Sequence, residues 1–233
     1  MEKDEKLKYL TWFDVIILSI LLFGNGIYTS SIYFLEIWKS GKNVAVADIS
    51  IADFSSVDNW YSFVIQVMFL MISIGYLMYR KFDFSQWKFS FSIKNILAGF
   101  LLFLFTAAMM DLYFSMLYGF QQMLSSERLS LLGNIQFSTI VYAMLNGSYE
   151  ELFFLGICFS TKEKKKWRIL LFSLIVRFSF HTYQGLEPAI GIGFLMGILY
   201  FFLYSHMKEK NLLPYFIAHA IADVFGLSIL QFI

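Results

Sequence analysis

Seven apolar stretches, each near the length that crosses a bilayer, constrain this chain more than any other feature. They cover residues 12–33, 60–79, 96–118, 135–160, 169–186, 189–206 and 212–232. A helix needs about 20 mostly apolar residues to span a hydrocarbon core. The chain is 58% hydrophobic and 15% charged, whereas an average soluble domain carries about 25% charged residues. A soluble core could not absorb apolar runs this long. The expected fold is an all-α, polytopic integral membrane bundle of about seven or eight helices, with residues 1–233 forming one membrane domain. A single cysteine, Cys158, excludes an internal disulfide framework. Basic residues fall in short clusters beside apolar runs, so no nucleic-acid partner is expected. The oligomeric state is not legible. The first run follows a lysine-bearing start, but it is too long for a signal core and lacks a small-x-small exit, so it reads as a retained span.

Charge sets the topology. One set of alternating polar segments holds Lys3, Lys6 and Lys8, then Arg80, Lys81, Lys88 and Lys94, then Lys162, Lys164, Lys165, Lys166 and Arg168, then Lys208 and Lys210. The other set holds only Lys39, Lys42 and Arg128. The positive-inside rule then predicts a cytoplasmic N-terminus and an outer C-terminus. The aromatic-rich segment Phe82 to Ile93 suits either an interfacial strip or a loop with aromatic-belt anchors.

Ionisable residues deep in a membrane are expensive and tend to mark function. Glu150 and Glu151 stand side by side in the fourth run, His181 and Arg177 lie in the fifth, and His219 and Asp223 lie in the seventh. At 1.5 Å per residue from each run's basic end, Glu150, His181, His219 and Asp223 lie about 15, 18, 10 and 16 Å deep. Four rare polar residues thus share one layer, expected nearer the middle than either surface and on the cytoplasmic side. His219 and Asp223 share a helix face, as do Arg177 and His181. Glu150 and Glu151 point about 100° apart, so one should face the reacting centre and the other a structural partner. Asn146, one turn before Glu150, extends the polar face. Asp111 in the third run could pair with Arg177 or face a water-filled cavity. His206 reads as a rim bystander and Cys158 as a packing residue.

A carboxylate and a histidine around a water make a general base for hydrolysis. A second histidine beside an Asp can donate to a developing oxyanion. In that reading Asp223 could equally serve to orient His219. Glu150, His181 and His219 are also acceptable zinc ligands, although no His-Glu-x-x-His signature is present.

The constellation resembles the CPBP family of membrane-embedded endopeptidases, the CaaX prenyl proteases and bacteriocin-processing enzymes also called the Abi family. Its first motif, two glutamates, three residues, then an arginine, often with glycine next, corresponds to Glu150-Glu151-Leu-Phe-Phe-Leu155-Gly156. Its second, a phenylalanine four residues before a histidine, corresponds to Arg177 and His181. Its third, a histidine four residues before Asn or Asp, corresponds to His219 and Asp223. Two positions depart: Leu155 replaces the arginine, and Arg177 replaces the phenylalanine. Arg177 could reach Glu151 from the neighbouring helix and neutralise it. The resemblance covers residues 135–228 as the catalytic core. It implies that Glu150 and His181 activate water, that His219 and Asp223 polarise the scissile carbonyl, and that Glu151 is mainly structural. A glutamate-based, metal-free mechanism is favoured over a zinc one, and no cofactor is expected.

The expected substrate is a membrane-associated peptide or protein, with membrane lipid as surroundings. Small size, a Lys-over-Arg bias and abundant Phe and Ile suggest a bacterial plasma-membrane enzyme in peptide processing or self-immunity. One rival is a degenerate scaffold that binds a partner such as a sensor kinase. Another is a proton- or ion-coupled transporter, against which no repeat symmetry is evident.

Overall fold

The structure, a computed structural model, describes residues 6–40, 55–125, 135–162 and 166–232. Lys3, Lys42, Arg128, Lys164 and Lys165 lie outside the described residues. Those described are helical, with no strand among them. Helix α1 spans Trp12–Ser40, α2 Ser56–Tyr79 and α3 Ile93–Tyr118, followed by the short α4, Phe120–Ser125. Helix α5, Phe137–Glu151, runs on through a π-helical stretch, Leu152–Ile157, and a 3-10 turn, Cys158–Ser160. Helix α6 spans Lys166–His181. The short α7, Leu186–Ile190, continues through a second π-helical stretch, Gly191–Met196, into α8, Gly197–His206; α9 is Leu213–Phe225.

Local chemistry fixes the helix ends. Ser55 and Asp58 form a capping box at the start of α2. Asp14 accepts from both the N–H and the hydroxyl of Thr11 at the start of α1. The same carboxylate takes Arg80 Nε at 2.7 Å and the Tyr76 hydroxyl at 2.6 Å, tying α1 to the end of α2. Asn211 Oδ1 accepts from Leu213 N–H, and Pro214 occupies the first turn of α9, where a missing N–H costs nothing.

Each of the seven apolar runs carries helix, but among the described residues four stretches are long and apolar enough to cross a membrane unaided: 12–39, 56–79, 93–118 and 186–206. The last run was expected to reach 232 and instead stops at Phe225. Gly226, at φ +79°, turns the chain and donates its N–H to Ala222 O at 2.7 Å. A side chain at that φ would be strained. Asp111 then takes the Ser228 hydroxyl and the N–H groups of Ile229 and Leu230. Asp111 therefore closes the C-terminal turn onto α3 and, among the described residues, forms no ion pair with Arg177.

Four segments expected on one side do meet at one end of the bundle. Leu7 N–H donates to Lys81 O, Leu10 N–H to Ser160 O, and Leu212 N–H to Lys88 O. The segment after Phe82 folds inward at this end. Phe82, Phe84 and Trp87 pack on one another, Phe89 packs on Phe216, and Phe91 is exposed. Large apolar side chains are exposed along α1, α2 and α3, among them Ile20, Tyr28, Val64, Met71, Leu101 and Phe105. Such a surface suits lipid rather than water.

Small residues let the inner helices approach. A Cβ on Gly147 would lie 2.8 Å from Ala220 N and 3.1 Å from His219 Cβ, so α5 and α9 touch backbone to backbone there. Gly193 meets the Phe178 backbone in the same way, bringing α7 and α8 against α6.

Candidate active site

Three inner helices, α5, α6 and α9, deliver the rare polar side chains to one buried network, and α2 adds a fourth wall. Glu151 is its fixed centre. Arg177 of α6 forms a two-pronged pair with it, Nη1 to Oε1 and Nη2 to Oε2, both 2.9 Å. The guanidinium also lies 4.0 Å from the centroid of the Phe154 ring. Fork-to-carboxylate pairing and an aromatic face beneath the cation are what an arginine needs out of water. Arg177 thus does reach Glu151 from the neighbouring helix. Leu155, where an arginine was expected, packs instead in the apolar cluster with Met110 and Tyr200. The Arg177 cation and the Phe154 ring thus meet across facing helical segments.

His219 Nδ1 lies 2.7 Å from Glu151 Oε1. A carboxylate accepts, so this nitrogen carries the hydrogen and Nε2 is aimed elsewhere. Nε2 lies 3.7 Å from Glu150 Oε2 and 3.6 Å from Asp223 Oδ1. Asp223 makes no hydrogen bond to the imidazole, so Glu151, not Asp223, orients His219. Asp223 is held instead by Asn146, whose Nδ2 donates to Asp223 Oδ2 at 2.9 Å and to Glu150 Oε1 at 3.1 Å.

Glu150 Oε2 is the open position in this network. It is buried and has no hydrogen-bond partner among the described residues. Around it stand His219 Nε2 and, at 3.9 Å, Arg177 Nη1. A buried carboxylate oxygen is costly unless something donates to it, and a water between it and an imidazole would do so.

His181 is the last residue of α6. Its Nδ1 lies 2.8 Å from Arg177 O, a carbonyl that can only accept, so Nδ1 carries the hydrogen and Nε2 keeps its lone pair. No hydrogen bond or ion pair joins His181 to Glu150; of the two histidines, His219 stands directly against Glu150. Among the described residues, no three His, Cys, Asp or Glu side chains are grouped as metal ligands.

Sequence reasoning overlooked two residues of this site. Gln66 of α2 donates to Asn146 Oδ1 at 2.6 Å and to the Tyr142 hydroxyl at 3.3 Å. The available signal was that Gln66 is the one amide in the run 60–79. Phe154 carried no signal, because a phenylalanine in a membrane run is ordinary. His206 is exposed and bonds its own helix at Phe202 O, apart from the site.

Comparison with curated proteins and with solved structures gives no match. Comparison with family models matches residues 133–225 to the Rce1-like type II CAAX prenyl endopeptidases. That segment begins just before α5, ends with α9, and contains every residue of the network except Gln66. The part of this chain that builds the site is thus similar to an Rce1-like, CAAX-type peptidase domain.

Proposed function

We propose that the protein hydrolyses a peptide bond in a membrane-associated peptide or protein, using Glu150 as general base and no metal. The observation that carries this reading is the unpartnered Glu150 Oε2, facing His219 Nε2 across 3.7 Å inside a buried polar cluster. A water there gives one proton to Glu150 as its oxygen attacks the carbonyl carbon. His219 is held through Nδ1 by Glu151; when doubly protonated it presents Nε2–H to the developing oxyanion. Glu150 then returns the proton to the leaving amine as the C–N bond breaks. His181, with its Nε2 lone pair free, helps orient the water. Asn146 and Asp223 set the position of Glu150, and Arg177 holds Glu151 in place. A bacterial chain of this kind would serve peptide maturation or self-immunity. In the scaffold alternative this network would only hold helices together.

The test is cleavage of a fluorogenic peptide library by the purified protein before and after exhaustive chelation. Activity that survives chelation is expected. Loss on chelation with recovery on adding zinc would overturn the metal-free step. A protein that cleaves nothing, and whose cellular phenotype survives Glu150→Ala, would leave the scaffold reading.

A further inference from the structure

We infer that Gln66 of α2 is a positioning residue of this site, acting on Glu150 and Asp223 through the side-chain amide of Asn146. The inference rests on the proteolytic reading for the reaction it serves. It extends the site to a helix outside the segment 133–225 matched by the family.

Asn146 has one workable orientation. Its two amide hydrogens go to two carboxylates, Glu150 Oε1 at 3.1 Å and Asp223 Oδ2 at 2.9 Å. Carboxylate oxygens accept, so Nδ2 must face them and Oδ1 must face away. Turned over, the amide would set its own oxygen against both carboxylates and strip each of a donor. Asn146 Oδ1 instead receives Gln66 Nε2 at 2.6 Å. That bond, made from another helix, locks the amide in the sense the carboxylates need.

Gln66 commits both of its amide hydrogens to this face of α5. The second goes to the Tyr142 hydroxyl at 3.3 Å. Tyr142, Asn146 and Glu150 recur every four residues and so share one helix face. The cost falls on Gln66 Oε1, which is buried and has no hydrogen-bond partner among the described residues. An unpaired buried carbonyl oxygen is unfavourable, and joining α2 to α5 does not require one. The same interface holds an amide that only joins. Asn59, two turns earlier in α2, donates to Ser138 and Thr139, two turns before Asn146 in α5. It ties the same two helices about 10 Å away, and its amide bonds neither Asn146 nor either carboxylate.

Without the Gln66 bond the Asn146 amide is free to turn, and Glu150 and Asp223 lose the donor they share. The test measures kcat and KM on one peptide, with the melting temperature in detergent, for Gln66→Met, Asn146→Ala, the double variant and Asn59→Leu. Gln66→Met is expected to lower kcat about 10²-fold, the effect of a misplacement near 1 Å, with KM unchanged. The double variant is expected to lose no more than Asn146→Ala alone, because one residue acts through the other. Asn59→Leu is expected to lower the melting temperature and keep the wild-type kcat. If Gln66→Met does not accumulate folded, Gln66→Asn, whose amide falls one methylene short of Asn146, is measured in its place with the same expectation. Wild-type kcat in the Gln66 variant, losses that multiply in the double variant, or an equal loss in Asn59→Leu would overturn the inference and leave the proteolytic reading standing. A wild-type protein that cleaves no peptide would sink the proteolytic reading itself, and coupling of Gln66 and Asn146 in melting temperature alone would then assign their bond to stability.

Discussion

At the scale of single residues, the account turns on how two adjacent carboxylates are treated differently. Glu151 is saturated by Arg177 and His219, whereas Glu150 keeps one oxygen unpartnered. Removing one partner of a buried pair leaves the other charge uncompensated, at a cost of about 3–5 kcal/mol. Arg177→Leu should therefore lower stability by about that amount in a thermal or denaturant melt in detergent. Charge reversal at Glu151 and Arg177 together should recover part of the stability lost in either single variant, yet leave activity low, because His219 loses its acceptor. No recovery in the double variant would count against the pair. Most of this chemistry was legible, because ionisable side chains are scarce in apolar runs and matched depth made them a set. What the sequence could not convey was partnership: which carboxylate orients His219, that His181 bonds its own helix at Arg177 O, and that Asp111 serves the C-terminal turn. Those depend on rotation about helix axes, which a depth estimate does not contain.

At the scale of elements, two devices place the site. The first is backbone contact between α5 and α9 at Gly147. Gly147→Ala puts a methyl 2.8 Å from Ala220 N, and the helices must part. Overpacking of this kind costs about 1–3 kcal/mol, and here it also shifts His219. We expect a lower melting temperature and a fall in kcat together, with Gly75→Ala, where a Cβ meets nothing within 4 Å, as the silent control. The second device is the π-helical stretch Leu152–Ile157 directly after Glu151. Wide turns of this kind recur at functional sites. This one buries Phe153 through Ile157 in succession, which sets Phe154 under Arg177 and Leu155 in the apolar cluster with Met110 and Tyr200. A period of 3.6 cannot forecast such a stretch, so it was invisible in the sequence. The end of α9 was misjudged for a related reason. Hydropathy continues past Phe225, but Gly226 turns the chain and Asp111 captures it. Asp111→Ala strands those donors, each worth about 1–3 kcal/mol when left unpaired. The segment after Gly226 should then become cleavable by carboxypeptidase in detergent, while the intact protein resists.

At the scale of the molecule, the bundle sorts its residues by solvent. Basic segments gather at one end, lipid-compatible side chains cover α1 to α3, and the polar network occupies the interior of α5, α6 and α9. The helical class and the grouping of the basic segments followed from run length and charge alternation, because these are demands of the bilayer rather than of packing. The most direct test of the central claim compares kcat of wild type and Glu150→Gln, an isosteric change, on one peptide in proteoliposomes. A fall of about 10²–10⁴ with an unchanged melting temperature is expected when a general base is removed. Cleavage by Glu150→Gln at the wild-type rate would contradict the account.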